Sequence, residues 1–565
     1  MNKPLTDTVH HPMSAPGDYY DLSRIRPEVL SVLDRINALG PRFAARAKAI
    51  DDEASFPEAN YRDLAEEGFL TLTIPEEFGG LGFSLGEYAM VGAEIGKYCG
   101  ATALTFNMHN SSMMWSRFMF ELPHLTEADR AAFAPLRAKQ FRRAVEERGI
   151  YSQPISEAGQ NWTSKPAQTQ CRKVEGGWRI DGFKKFASLA GYCDYYSIVC
   201  TEVFEGVEPR HEDTMIFVVH KDAPGLSVQG EWDPLGMRGT NSRDLVLKDV
   251  FVTEDDLMMP RGIFIKTLPH WPHMMATLSP TYMGVAQGAF DFTVAYLRGA
   301  VPGCPPIDRR IYATKRLAVA QMYARLAATR ALWWQVFMEA QCFPDRGQVL
   351  RMYAAQYNVM EAAQEIAALA IRTCGGQSML RTLPLERIYR DSRCGALMLP
   401  YTSEIMEDYM SVLTLYDLDE LDAAGERPLW KRNAEITRRR VSLGIGIIAG
   451  EALLSAPRCR PRPPQGCGEH LGAGPGARTE HQRATWAAPR PVEHAGRQQA
   501  PGGRTIRLRS PLVETDAEPQ DCPARHRGCR RSRRGCGDPR RRPHRCWRSA
   551  PGHRSWCSEP PQACR

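Results

Sequence analysis

The residue types that could do chemistry in this chain fall into a few groups. Cys522, Cys529 and Cys536 recur seven residues apart with His526 among them. Three thiols and an imidazole are a donor set that zinc accepts, but zinc sites use tighter C-x₂₋₄-C pairs, so no metal is expected. The basic runs 530–534 and 540–542 could meet phosphates, yet only Trp547 and Trp556 stand nearby as stacking partners, so no nucleic-acid partner is expected. His270 and His273 flank Trp271-Pro272; either imidazole could take a proton, and the four residues also read as a packed turn. The hydroxyls of Ser156 and Ser188 could donate to a ligand or satisfy turn backbone. Phe186 could stack on a ligand or fill core. Gly375-Gly376 lets a chain approach a ligand closely, or simply turns.

These residues need elements to hold them. Val29, Val32, Leu33, Ile36 and Leu39 recur at three- and four-residue spacing, which predicts an amphipathic helix. Helical patterning extends over 25–148, interrupted by the turn-rich segment Ile74-Pro75-Glu76-Glu77-Phe78-Gly79-Gly80-Leu81-Gly82. Over 149–258 the texture is β. Tyr195–Cys200 and Thr214–Val219 are β-rich runs, 244–252 alternates in part, and Trp178-Arg179-Ile180-Asp181-Gly182 reads as a strand entering a turn. Long helical patterns return over 265–420, near 282–297, 308–339 and 348–374, and predict an antiparallel bundle. One more helix, basic at its start, is expected over 427–455. The expected fold class is α+β: an N-terminal α-helical domain, a middle β-barrel or sandwich domain, a C-terminal four-helix bundle and a tail.

Composition divides at about residue 456. The tail holds 23 Arg, no Lys and nine Asp or Glu, a surplus of 14 positive charges. The overall +7 therefore leaves the first 455 residues at −7, and an acidic body does not point to nucleic acid. The tail lacks Asn, Phe, Tyr and Met, carries half of the 16 cysteines, and shows no helical or strand period. It cannot build a core and is expected to be disordered. Its absent residues have AT-rich codons, so we hypothesise a GC-rich gene read out of frame from about Ala456. Resequencing the DNA tests this, and an intact frame refutes it. The eight scattered cysteines of the body read as reduced thiols. No apolar run is long enough to span a membrane and no signal-peptide core is present, so a cytoplasmic location is expected.

Five segments, in order, resemble the acyl-CoA dehydrogenase family over about 25–415. They are the Ile74–Gly82 loop; Gln153-Pro154-Ile155-Ser156-Glu157; Asp181-Gly182-Phe183-Lys184-Lys185-Phe186-Ala187-Ser188; Leu235-Gly236-Met237-Arg238-Gly239-Thr240 with Asp249-Val250; and Gly375-Gly376 with Pro384-Leu385-Glu386-Arg387 and Arg390-Asp391-Ser392-Arg393. The resemblance implies FAD between the β domain and the bundle. Gln153, Ile155, Ser156, Phe186 and Ser188 would lie about the flavin ring. Arg298, Gly375, Gly376, Thr402 and Glu404 would be further cofactor contacts, and Gln160 a substrate contact. It also implies a homo- or hetero-oligomer in which the Gly375-Gly376 loop reaches a neighbour's flavin, an electron-transfer partner, and an acyl-CoA or acyl-carrier thioester as substrate in lipid metabolism.

The sequence departs from the family where the reaction needs a base. Oxidising the Cα–Cβ bond of a thioester requires a glutamate to remove the α-proton. The family's two positions for it hold Pro400 and Met274 here. The phosphate and substrate turn is altered at 158–161, and the pyrophosphate grip after Arg298 has shifted spacing. The leading reading is an FAD-dependent oxidoreductase of the acyl-CoA dehydrogenase type that oxidises the Cα–Cβ bond of an acyl thioester, as a non-standard member or a base-lacking subunit; the alternatives are a flavin monooxygenase on the same fold and a non-catalytic subunit.

Overall fold

The computed structural model describes residues 14–122, 125–158, 165–267, 271, 274, 276–398 and 402–416. The expected helix over 427–455, the tail, Gln160, Pro400, His270 and His273 lie outside the described residues. Among the described residues no helix is long and apolar enough to cross a membrane.

The first layer is helical: α1 (Pro27–Glu53), α2 (Glu58–Glu66), α3 (Leu85–Tyr98), α4 (Gly100–Phe118) and α5 (Glu127–Val145). Pro27 sits in the first turn of α1, where its missing N–H costs nothing, and the helix buries Val29, Val32, Leu33, Ile36 and Leu39. Ser84 and Glu87 cap α3 reciprocally, each side chain accepting from the other's backbone N–H.

Eight strands form one sheet: β1 (Tyr151–Ser152), β2 (Gln170–Val174), β3 (Gly177–Ala187), β4 (Tyr195–Glu202), β5 (Thr214–His220), β6 (Leu226–Gln229), β7 (Arg243–Val252) and β8 (Leu257–Met259). The order is β6-β7-β3-β2-β4-β5-β8, with β1 added parallel to β4. The expected turn at Asp181-Gly182 is not there. Strand β3 runs straight through it, with a register shift against β7 between Ile180 and Gly182. At this bulge Asp249 takes a left-handed conformation (φ 52°) and donates its N–H to Asp181 Oδ1 at 2.8 Å. A dipeptide that signals a turn here supplies the side chain that stabilises a bulge.

After the short helix α6 (Ile263–Thr267) come α7 (Ser279–Leu297), α8 (Ala313–Met338), α9 (Arg346–Cys374), α10 (Leu385–Cys394) and α11 (Ser403–Leu415). Helix α9 is central, touching α7, α8, α10 and α11. Helix α7 packs directly on α3, and glycines allow it. A Cβ on Gly96 would stand 2.5 Å from the Thr281 carbonyl, and one on Gly284 would stand 2.1 Å from the Ala93 carbonyl. Gly92 and Gly288 complete the crossing, so two pairs at i, i+4 bring the backbones together.

Candidate active site

A cavity of about 680 Å³ opens between the sheet, α4 and the bundle. On the sheet side it is lined by Gln153, Ile155, Ser156, Phe186 and Ser188. Helix α4 contributes Leu104, Asn107, Met108, Ser111 and Trp115, which share one helical face. The β6–β7 loop supplies residues 231–237, and the bundle supplies Met274, Thr277, Leu278, Cys394, Leu397 and Met398.

Short polar links hold the sheet side. Ser188 Oγ lies 2.8 Å from Ser242 Oγ, which lies 2.7 Å from Thr240 Oγ1. Ser152 Oγ donates to the Ser188 carbonyl at 2.5 Å, tying β1 to the end of β3. Phe186 is 51% exposed and meets Trp232 edge-on, with ring centroids 5.2 Å apart. A large ring left this open on a cavity wall is a surface for another flat molecule.

An imidazole joins the sheet side to α4, alongside the Ser197 hydroxyl of β4, which donates to Ser112 Oγ of α4 at 3.2 Å. His109 Nε2 donates to the Leu70 carbonyl at 2.7 Å, while its Nδ1 accepts from Tyr151 N at 3.1 Å. Burial drives its pKa down to about 4, against the pull of the Leu70 carbonyl, so the ring is neutral at ordinary pH. Two residues from this bond on either side stand Asn107 and Gln153. Both are buried, and among the described residues the Asn107 Nδ2 and Gln153 Nε2 amides have no hydrogen-bond partner.

The lining carboxylates are engaged or wet. Glu157 accepts from Lys184 Nζ at 2.6 Å and from the backbone N–H groups of Gln168 (2.5 Å) and Thr169 (3.0 Å). Burial works against its charge, but the Lys184 ammonium and these donors hold its carboxyl below the usual range. Asp233 pairs with Arg238. Glu231 is exposed on the β6–β7 loop. Met274, at one of the two positions where a base is expected, is 2% exposed and presents a thioether to the cavity. Burial pushes the Cys394 thiol up to about 12, so it is no ready nucleophile.

The structure therefore brings Gln153, Ile155, Ser156, Phe186, Ser188 and Met274 to one cavity, and leaves other expected contacts away from it. Thr402 is the N-cap of α11, its hydroxyl accepting from Ile405 N at 3.4 Å, and Glu404 is exposed in that helix's first turn. Arg298 is exposed at the C-terminus of α7. Gly375 ends α9 with φ 82°, and a Cβ on it or on Gly376 would meet nothing within 4 Å. Sequence reasoning missed the α4 face altogether. Its signal was present: Asn107 and Ser111 recur four apart among Leu104, Met108 and Trp115.

Comparison with known proteins decides the family. The sequence matches the N-terminal domain of acyl-CoA dehydrogenases over residues 38–120, their middle domain over 155–250 and their C-terminal domain over 273–410. The chain belongs to the acyl-CoA dehydrogenase family. Relatives include the L-evernosamine nitrososynthase of Micromonospora, 28% identical across 68% of this chain and 90% of its own. The human mitochondrial short-chain specific acyl-CoA dehydrogenase is 25% identical across 61% of this chain and 80% of its own. Among solved structures, KijD3 in complex with FMN and an amino-keto sugar nucleotide superposes with a TM-score of 0.60 at 26% identity, covering 69% of this chain and 94% of that one.

The cofactor of this acyl-CoA dehydrogenase family member is a flavin, FAD being typical of the family. The cavity fits one. The unpaired Gln153 amide offers a buried donor, the open Phe186 ring offers a flat apolar face, and the Ser188 hydroxyl, two residues after Phe186, lines the same cavity.

Proposed function

We propose that this chain is a flavin-dependent monooxygenase built on the acyl-CoA dehydrogenase fold. The observation that carries the reading is the cavity wall at Met274: a buried thioether takes no proton. Among the described lining residues the buried carboxylate, Glu157, is held by Lys184, while Glu231 and Asp233 stand exposed to water. Thioester oxidation needs such a base; oxygen transfer does not. Relatives named as nitrososynthases, from Micromonospora and from Streptomyces peucetius, support the same direction.

When bound, reduced flavin supplies two electrons to O₂, one oxygen atom entering the substrate and the other leaving as water. The chain's residues bind and shield. Gln153 and Ser188 would donate to the polar edge of the ring system, Ile155 and Ser156 would line the same segment, and Phe186 with Trp232 would cover a face. Met108, Met237, Met274, Leu278 and Met398 keep bulk water out, which strengthens each polar contact inside. Gly375-Gly376 stands open beside the exposed Met379 and Leu380, which supports the approach of a second subunit. An electron-transfer partner would reduce the flavin.

A second reading, oxidation of an acyl thioester at Cα–Cβ with the base drawn from His270, His273 or a partner, is supported by the five ordered family segments. One experiment separates the two. The flavin-loaded chain is mixed anaerobically with a panel of acyl-CoAs, and separately reduced and exposed to O₂ while oxygen uptake is followed. Oxygen uptake stimulated by a non-thioester substrate, with no bleaching by any thioester, is expected. Bleaching by one acyl-CoA overturns the monooxygenase reading in favour of the dehydrogenase.

A further inference from the structure

We infer that Asn107 is a specificity-determining residue that reads a hydrogen-bond acceptor on the substrate, so the substrate carries an oxygen, as carbonyl or hydroxyl, where it meets α4. The inference deepens the proposed function and rests on the cavity serving as its substrate site.

Asn107 is 1% exposed and lines the cavity from α4. Its Oδ1 accepts from the Tyr88 hydroxyl at 2.8 Å. Burial raises the Tyr88 pKa well above its ordinary value, so that hydroxyl keeps its proton and is the donor. Turning the amide over would leave the Tyr88 proton without an acceptor, so the amide orientation is fixed and Nδ2 is the free end. Among the described residues Nδ2 has no partner. A buried amide N–H left unpaired is costly, and a ligand that accepts from it at the cavity wall recovers that cost.

The surroundings sharpen the argument. Leu104, Met108 and Trp115 flank Asn107 on the same face, and a plain alkyl chain would be served better by an apolar residue in its place. A site that hydrogen-bonds its substrate rejects the analogue lacking the polar group far more strongly than an apolar pocket separates chains by one methylene. Among the described cavity-lining residues the other unpaired amide is Gln153, on the sheet side with the segment that would hold the flavin. Asn107 stands on the helix side, so the two amides divide cofactor from substrate.

The test uses 2-acetylnaphthalene and 2-isopropenylnaphthalene, which share a shape and differ in a carbonyl oxygen against a methylene. Binding of each to the flavin-loaded full chain is followed by ligand-observed saturation-transfer NMR, without turnover. The expected result is about tenfold tighter binding of the ketone to the wild type. The preference should vanish in Asn107→Leu. Asn107→Leu strands the Tyr88 hydroxyl, so the double variant Tyr88→Phe/Asn107→Leu, which removes both partners, guards against simple misfolding. Equal binding of the two probes, failure of both to bind, or a preference that survives in the variants overturns the inference. So does a surviving preference with weakened flavin affinity, which would assign Asn107 to the cofactor. Because no oxygen transfer is measured, a ketone preference without oxygen uptake keeps this inference while removing the monooxygenase reading.

Discussion

His109 links the two walls of the cavity, and its chemistry makes that link sensitive to acid. The imidazole titrates near its ordinary value in the unfolded chain and at about 4 in the fold, so the fold prefers the neutral ring. The resulting stability is whole above pH 6.5 and is lost as pH falls from there towards 4, at up to about 1.4 kcal/mol per unit and about 3 kcal/mol in all. Denaturation midpoints measured across that window should fall for the wild type and lose this component in His109→Gln. The neighbouring amide gives a second prediction. Gln153→Leu removes the unpaired donor on the sheet side and should weaken flavin binding about tenfold, read by fluorescence titration. An unchanged affinity would remove Gln153 from the cofactor site.

Among elements, the β6–β7 loop is the wall most dependent on its supports. Gly236 lies so close to α10 that a Cβ would stand 2.5 Å from the Arg390 carbonyl group, and Asp391 Oδ1 accepts from Met237 N at 2.6 Å. Arg390 then grips Asp51 at the end of α1 through both guanidinium nitrogens, at 3.0 and 2.5 Å. Gly236→Ala should therefore cost about 1–3 kcal/mol by overpacking and loosen the cavity wall, visible as a lower melting temperature and weaker flavin retention. Arg390 and Asp391 were legible in the sequence only as a motif, because Asp51 lies hundreds of residues away and no local pattern connects them. The helices were legible where one face is buried, as with Val29 to Leu39 in α1. Strand β3 was misread where Asp181-Gly182 gave a turn signal that the neighbouring strand converts into a bulge. The functional face of α4 was not read at all: α4 is buried nearly all round, so the i, i+4 pair Asn107 and Ser111 has no exposed polar face opposite to set the cavity side apart. At Thr402 the sequence offered a hydroxyl and the resemblance a cofactor, while the structure shows that hydroxyl capping a helix.

At the scale of the whole molecule, the chain's excess positive charge falls after residue 456, in a segment whose composition cannot build a core. A chain truncated after Leu454 should keep the melting temperature and flavin content of the full chain, while losing its basic isoelectric point. A lower melting temperature would show that the tail contributes to the fold. The α3–α7 glycine crossing joins the N-terminal helices to the bundle. Helix α3 is buried on nearly every side, and much of what buries it belongs to α7. During synthesis at about 5–20 residues per second, α7 leaves the ribosome roughly 190 residues and some 10–40 s after α3. For that interval a nascent chain has α1 and α4 at hand for α3 but leaves its α7 face open, so the crossing that fastens the mature protein also exposes an apolar face to chaperones and to aggregation during synthesis.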